Sequence, residues 1–391
     1  MKTGKIFRGD KIIWVVFLLL SVFSLVEVYS SIGLYASSLF DTSPTGLFMK
    51  HLAIVLATYV AVVFISRINY RFFSRFALLG YWATLVLLAV MLALQGGRWF
   101  HIPVIGQFQP SEIAKVVLII FVARLLALKK DHTSDLGPFL QLLIYIGLVV
   151  ALILPENLSM AALIFLVCYL MMYFGGVKRS YWWRLLIALV AIAGVAMFVM
   201  LKTGEHSEVL GRSETWVNRV DHWIHPDDEA LTQENMAKMA IARGGVLGAG
   251  IGNTVHARLM TQAHNDFIYA IIIEETGMVG GIIVFMLYSI LYFRCIRLAW
   301  RCKGRFGALT VAGLGTVIYL QALVNMRVAV GVLPVTGQTL PFISYGGTAY
   351  LFMGCGLGII QSVAADVYGK EEQEGQENQE EVKEQEYESN H

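Results

Sequence analysis

The stretch DFIYAIIIEETGMVGGIIVFMLYSILYFR, residues 266–294, joins a long apolar run to three acidic residues. Such a run exceeds the ~20 apolar residues with which an α-helix crosses the hydrocarbon core of a bilayer. Asp266 begins the run, and Glu274 and Glu275 lie about 12–14 Å further along at ~1.5 Å per residue. Because ionisable side chains within a membrane face a partner or a polar cavity, the stretch predicts a transmembrane helix beside such a cavity.

The composition of the whole chain agrees with this prediction. Hydrophobic residues make up 57% of its 391 residues and charged residues only 15%, which is too little charge to cover a soluble protein of this size. Lys and Arg form no cluster with interleaved aromatic residues, so nucleic acid is not an expected partner. Ten apolar runs have spanning length or nearly so: 12–36, 47–66, 75–94, 111–128, 137–154, 158–174, 181–201, 266–294, 306–330 and 345–366.

The runs predict an all-α, polytopic integral membrane protein of about ten transmembrane helices. Lys and Arg concentrate before the first run and in every second loop after it, which marks those loops as cytoplasmic. Both termini are therefore predicted to be cytoplasmic, with a long extracytoplasmic loop, about 202–264, before the eighth helix. Residues 1–366 are expected to form one membrane domain. The acidic, Gln-rich residues 367–391 are expected to form a disordered cytoplasmic tail, with a regulatory docking segment as the alternative.

The motif QPSEIAK, residues 109–115, begins the fourth run. Pro110 suits the first turn of a helix, and Glu112 and Lys115 are three residues apart and so share one helix face. Two interpretations stay open. The pair is a self-contained ion pair at the helix start, or Lys115 offers a cation to an anionic headgroup while Glu112 positions it.

Asp266 also has two interpretations. Aspartate is a preferred helix N-cap, and Asp266 stands where the N-cap of the eighth helix is expected. The same position places its carboxylate at the outer membrane surface, beside His264, where it faces a polar loop.

The two deeper acids, Glu274 and Glu275, cannot both face lipid. At least one of them is expected to have a partner inside the bundle, and Lys115 and Arg243 are the cations considered. A structural pairing is the favoured role for both acids.

The segment GVLPVTGQTLPFISYGG, residues 331–347, precedes the last run. Its prolines and glycines exclude a continuous helix, and non-helical backbone at this depth needs protein or a watery cavity around it. The segment is either a plain outer loop or a site at which free N–H groups meet a phosphate or a sugar. The residues alone therefore predict an outward-facing polar cavity, which fits a transferase acting on a lipid-linked substrate and a transporter equally.

Several stretches of the chain resemble the SEDS family of peptidoglycan polymerases, the FtsW and RodA proteins, over about residues 10–366. They are QPSEIAK, AIARGGVLGAGIGN, QAHNDFIYAIIIEETG and NMRVAVGVLPVTGQTLPFISYGG, of which the last is the most specific. The number of spans and the long loop before the eighth also agree. Within the family, RSETWVNRVDHWIHPDD, residues 212–228, is more similar to the division-type FtsW proteins than to the elongation-type RodA proteins.

The resemblance implies a peptidoglycan glycosyltransferase that polymerises lipid II into glycan strands. In that reaction the 4-hydroxyl of one sugar attacks C1 of another, a β-1,4 linkage forms, and undecaprenyl pyrophosphate leaves. Asp266 occupies the position of the family's essential aspartate, which implies that it is the general base at the attacking hydroxyl. Lys115, Arg219 and a divalent cation, Mg²⁺ or Mn²⁺, are implied as the positive charges at the leaving pyrophosphate.

The resemblance also sorts the remaining site residues by role, with no metal ligand assigned. Arg327 replaces a small residue of the family pattern, and it is expected either to pair with an acid or to help bind pyrophosphate. Asn157 replaces a family carboxylate, so its role is open. Substrate binding is expected of Glu112, Lys115, Arg219, His264, Thr339, Ser344 and Tyr345. Structural roles are expected of Glu274, Glu275, Arg243 and Arg327.

The partners implied by the resemblance are lipid II, a class B penicillin-binding transpeptidase, other division proteins and membrane lipids. The implied location is the bacterial cytoplasmic (inner) membrane at the division septum. The alternatives are a RodA-type elongation polymerase, a lipid II flippase or other transporter, and a non-catalytic division scaffold in which Asp266 is only a cap. Asp266→Asn separates the scaffold from the polymerase, because Asn caps a helix as well as Asp does but cannot accept the proton.

Overall fold

The computed structural model describes residues 7–39, 44–94, 100–102, 106–129, 135–203, 219, 223, 232–258, 260, 266–345 and 347–389. This part of the chain is helical apart from one short hairpin and the connecting segments, which confirms the predicted all-α membrane protein. One short helix, α8 (Gln233–Gly244), lies within the predicted outer loop. The ten long helices coincide with the ten apolar runs: α1 (Lys11–Leu39), α2 (Pro44–Arg67), α3 (Arg71–Ala93), α4 (Pro110–Leu128), α5 (Leu136–Ile153), α6 (Leu158–Phe174), α7 (Arg179–Thr203), α9 (Ile268–Arg301), α10 (Arg305–Ala329) and α11 (Gly347–Ser389).

Seven of the described helices, α1, α2, α3, α5, α9, α10 and α11, are long and apolar enough by length and composition to cross a membrane. The packing of the others shows why charge is tolerated in α4. This helix contacts α3, α5, α6, α10 and α11, so its polar side chains face protein and not lipid. The orientation of the bundle relative to the two sides of the membrane stays a prediction from the basic loops.

A small antiparallel hairpin joins α3 to α4, and the sequence analysis does not predict it. Its strands are β1 (Phe100–Ile102) and β2 (Gly106–Phe108), with Phe100 opposite Phe108. The strands carry aromatic and β-branched residues, which favour extended structure. Three residues are too few for alternation of polar and apolar side chains to be recognised.

The Gly-rich loop after α8 is fastened to an interruption in α9. The interruption lies at Gly277, whose φ of 74° is in the left-handed region. There the Gly250 N–H donates to Glu275 O at 2.9 Å. A Cβ on Gly248 would overlap the carbonyl group of Glu275, so this approach of two backbones requires glycine.

The structure differs from the prediction of a disordered tail. α11 continues as one helix as far as Ser389, through most of residues 367–391. Glu, Gln and Lys are good helix formers, and adding residues to an existing helix is easier than starting one. Lys370 and Asp366, one turn apart, also pair at 2.7 Å and favour the helix further.

Candidate active site

Asp266 lies in the turn before α9 and is partly exposed. The N-cap of α9 is Phe267, which makes no side-chain capping hydrogen bond. The helix therefore begins one residue later than the capping interpretation of Asp266 requires. The structure places the carboxylate just outside the helix end, at the predicted outer surface of the bundle.

The backbone of Asp266 is held by a polar side chain of α10. Asn325 is 1% exposed, and its Nδ2 donates to Asp266 O at 2.9 Å and to Gln338 O at 2.7 Å. One amide thus ties the end of α9 to the non-helical segment before α11. Asn325 Oδ1 and both polar side-chain atoms of Gln338 are buried and have no hydrogen-bond partner among the described residues, so the site retains polar atoms that a ligand could engage.

A second polar side chain, Gln321, lies one turn away on the same face of α10. Its Nε2 donates to Thr339 O at 3.0 Å, and its Oε1 accepts from Lys115 Nζ at 2.7 Å. Lys115 Nζ also donates to Glu112 Oε2 at 2.7 Å, with the two side chains 0% and 3% exposed. Gln321 therefore connects the buried ion pair of α4 to the same segment that Asn325 holds beside Asp266.

Residues 331–345 are non-helical, as their prolines and glycines predict. Within this segment the Leu340 N–H donates to Ser344 Oγ at 2.8 Å, and Phe342 adopts a positive φ of 62°. The ring of Tyr345 lies 5.4 Å from the ring of His51 in α2. Ser344 thus helps to shape the turn, and Tyr345 packs at its border with α2.

Two described residues of the outer loop reach the same segment. Arg219 Nη1 donates to Val335 O at 3.0 Å, and Trp223 Nε1 donates to Gly331 O at 3.1 Å. Arg219 therefore brings a guanidinium group to the segment next to Asp266. His264, the predicted neighbour of Asp266, lies outside the described residues.

Glu274 is fully buried and accepts four hydrogen bonds. They come from Arg243 Nη1 at 2.7 Å, Thr254 Oγ1 at 2.6 Å, His256 Nδ1 at 2.9 Å and the Val255 N–H at 3.1 Å. Of the two cations considered from the sequence, Arg243 is thus the one that contacts this acid. The carboxylate joins α8 and the following loop to α9.

The other residues singled out from the sequence lie away from this network. Glu275 is buried and accepts a hydrogen bond from Ser30 Oγ of α1. Arg327 is exposed near the end of α10, and within the described residues it forms no ion pair. Asn157 caps α6, because its Oδ1 accepts from the Met160 N–H at 3.1 Å.

Gln321 and Asn325 are not among the residues singled out from the sequence. Their signal is the spacing: two amide side chains four residues apart on one face of an otherwise apolar helix. The spacing indicates a shared polar face. It does not indicate which helix that face contacts.

Comparisons with known proteins agree on one family. The family model described as "Cell cycle protein" (FTSW_RODA_SPOVE) matches residues 10–369. The protein named "Probable peptidoglycan glycosyltransferase FtsW" from Geobacter sp. (strain M18) is 31% identical over 275 residues, covering 70% of this chain and 72% of that protein. The protein of the same name from Coxiella burnetii is 28% identical over 334 residues, covering 82% of this chain and 87% of its own.

Two solved structures share the fold. A chain of the structure titled "Structural coordination of polymerization and crosslinking by a peptidoglycan synthase complex" has a TM-score of 0.72 at 24% identity and covers 92% of this chain and 98% of that chain. The rod shape determining protein RodA of Thermus thermophilus has a TM-score of 0.65 at 22% identity, with the same two coverages.

Proposed function

Because the chain belongs to the FtsW, RodA and SpoVE family of cell cycle proteins, we propose that it is a peptidoglycan glycosyltransferase that polymerises lipid II. Its relatives carry that activity in their names. The observation that carries the proposal for this chain is the position of Asp266, with its backbone fixed by Asn325 beside a polar, non-helical segment. A proton acceptor needs such a fixed position to be within reach of a bound hydroxyl.

In the proposed reaction Asp266 accepts the proton of the 4-hydroxyl of one sugar. The hydroxyl oxygen forms a bond to C1 of the other sugar, and the bond from C1 to the pyrophosphate oxygen breaks. The electron pair of that bond leaves with undecaprenyl pyrophosphate, and the product is a β-1,4 linkage. A partly exposed carboxylate is suited to this role because it is open to substrate.

Two cations have different parts in this proposal. Arg219 contacts Val335 through one nitrogen, and the remaining donors of its guanidinium group suit a pyrophosphate oxygen. Lys115 is fully buried and already donates to Glu112 and Gln321. Its part is to hold the segment containing Thr339 in place through Gln321.

A divalent cation, Mg²⁺ or Mn²⁺, remains part of the proposal because the family resemblance implies it. The described residues do not by themselves form a site for such an ion, since no group of three His, Cys, Asp or Glu side chains lies together there. The substrate's pyrophosphate would have to supply ligands. No step above depends on the ion.

The division-type role, the septal location and the transpeptidase partner are also proposals. They rest on the FtsW names of the relatives and on the fold shared with a chain of a peptidoglycan synthase complex. A class B penicillin-binding transpeptidase is the proposed partner, because the structural relative belongs to a peptidoglycan synthase complex. The surface that it would contact is left unassigned.

The experiment that tests the proposed function uses the purified full chain with labelled lipid II, with and without its cognate transpeptidase and with Mg²⁺, Mn²⁺ or a chelator. Glycan strands resolved by gel electrophoresis support the polymerase. If no strands form under any condition while labelled lipid II crosses liposome membranes that contain the protein, the chain is a flippase and the proposal fails.

A further inference from the structure

A cavity of about 1300 Å³ lies at the end of the bundle opposite Asp266. Among the described residues, six cationic side chains line it: Arg8, Lys11, Arg67, Arg294, Arg297 and Arg301. Three acidic side chains of the same described part do so: Asp10, Glu371 and Glu372. The cations come from the N-terminal segment and from the ends of α1, α2 and α9, so four parts of the chain converge on one positively charged space.

The floor of this cavity is rigidly built. Asp10 is 1% exposed, and its Oδ2 accepts from Arg294 Nη2 at 2.5 Å and from the Tyr368 hydroxyl at 2.8 Å. The Asp10 N–H donates to Gln361 Oε1 at 2.8 Å, and Gln361 Nε2 donates back to Asp10 O at 3.1 Å. These bonds connect the N-terminal segment to α9 and α11. The side chains of Asp10 and Arg294 are therefore already engaged with protein groups.

The remaining cations are largely without acidic partners. Arg301 lies 3.6 Å from Glu371. Within the described residues no acid approaches Arg8, Lys11, Arg67 or Arg297 to the 4.0 Å of an ion pair. A concentration of like charge in one cavity is unfavourable unless an anion occupies it.

The depth of the cavity matches the headgroup layer of the membrane. From Ile268 to Arg294 and Arg297, α9 covers at most about 39–44 Å at ~1.5 Å per residue, since it is interrupted at Gly277. A bilayer with its headgroups is about 40–45 Å thick. The basic cavity therefore lies at the cytoplasmic headgroup level when Asp266 lies at the outer surface.

Apolar side chains next to the cavity point to a lipid and not to a soluble anion. Ile12 lines the cavity and is 43% exposed, and Val15 on the next turn of α1 is 54% exposed. On α2, Phe64 lies one turn before Arg67 and is 66% exposed. An acyl chain can lie along these side chains while its phosphate meets the cations.

We propose that this cavity binds the headgroup of an anionic phospholipid of the inner leaflet. Basic pockets between transmembrane helices on the cytoplasmic side suit such headgroups. Arg67 and Arg297 are exposed, make no described ion pair, and are free to donate to phosphate oxygens. The site is separate from Asp266, so it stands whether or not the chain is a polymerase.

The test measures retained lipid by native mass spectrometry. Purified full chain is titrated with phosphatidylglycerol or with phosphatidylcholine of the same acyl chains. The double variant Arg67→Gln/Arg297→Gln is compared with Arg179→Gln/Arg184→Gln, which removes the same charge from exposed positions at the start of α7, outside the cavity. A third protein, Arg67→Lys/Arg297→Lys, keeps the charge and controls for folding.

The expected result is preferential retention of phosphatidylglycerol by the wild type, the α7 variant and the lysine variant. The Arg67→Gln/Arg297→Gln variant should bind it about 30-fold more weakly, since each cation near an anionic headgroup contributes roughly a factor of five. Equal binding of the two lipids, or equal loss in the α7 variant, overturns the proposal. Displacement of the lipid by glycerophosphoglycerol at equal concentration also overturns it, because the site would then recognise a soluble phosphate.

Discussion

The buried ion pair of α4 allows a prediction with a definite size. Lys115→Met removes the cation from Glu112, which is 3% exposed and 2.7 Å from the ammonium group. Removing one partner of a buried pair costs about 3–5 kcal/mol, because the remaining charge is uncompensated. The variant also leaves Gln321 Oε1 without its donor, which costs about 1 kcal/mol or more. We expect a total loss of about 4–6 kcal/mol in the free energy of unfolding.

The assay is reversible unfolding of the purified chain in mixed micelles by added SDS, followed by circular dichroism. Glu112→Gln, Lys115→Met and the double variant are compared. The double variant should be more stable than the sum of the single losses predicts, with a coupling of about 2–3 kcal/mol. The control is the Asp366–Lys370 pair, which has the same 2.7 Å distance but is far more exposed.

For the control pair the coupling should be below about 1 kcal/mol. If the two pairs show equal coupling, burial does not set the strength of the α4 pair and the reasoning is wrong. If the single losses at Glu112 and Lys115 simply add, the pair does not act as a unit. Either result would remove the argument that Lys115 holds the site from beneath.

Three further predictions concern the end of α9, the Gly-rich loop and the N-terminal segment. Asn325→Leu removes the donor to Asp266 O and Gln338 O. It should lower the kcat of lipid II polymerisation about 10- to 100-fold and leave KM within about 3-fold of the wild-type value. An unchanged kcat contradicts the role of Asn325 in positioning Asp266. Gly248→Ala should destabilise the chain at least about twice as much as Gly252→Ala. Both glycines have a φ of 84°, but only a Cβ at position 248 would overlap backbone atoms of another segment. Equal midpoints of SDS unfolding for the two variants would contradict this explanation. Hydrogen bonds from Arg294 and Tyr368 outweigh burial and lower the pKa of Asp10 from 3.8. The ionised Asp10 therefore stabilises the fold above that pH, and this stabilisation is lost as the pH falls through the lower pKa of the folded state. Asp10→Asn should consequently lose less thermal stability between pH 6 and pH 3 than the wild type. An equal loss in both proteins would refute the lowered pKa of Asp10.

The membrane-spanning architecture could be predicted from the sequence because hydropathy reports it directly. Each of the ten apolar runs became a helix, and their ends shifted by a few residues at most, except at the C-terminal ends of α9 and α11. The shift at Asp266 matters most. A boundary error of one residue separates a helix cap from a carboxylate outside the helix, and boundaries are the least certain part of such predictions.

The contacts of the site could be specified most readily where they are local in sequence, although Arg243, one of the two cations considered, does pair with Glu274, 31 positions away. Glu112 and Lys115 are three residues apart in one helix, so their pairing follows from the helix geometry. The contact between Gln321 and Lys115 joins residues 206 positions apart, and no periodicity specifies which helices will be neighbours. For the same reason, the cavity between α1, α2, α9 and α11 could not be predicted from the sequence. Its individual cations could be recognised as part of the basic loops.

The most direct test of the central claim is the rate of lipid II polymerisation by Asp266→Asn, with Asp135→Asn as the matched control. Asp135 is the residue before α5, and Asp266 lies two residues before α9. The two substitutions therefore make the same chemical change at similar positions. Substrate binding is measured in parallel to show that each variant still holds lipid II. The account predicts loss of polymerisation in Asp266→Asn with binding retained, and near wild-type rates in Asp135→Asn. Glycan strands made by Asp266→Asn at the wild-type rate would contradict it and show that another group accepts the proton.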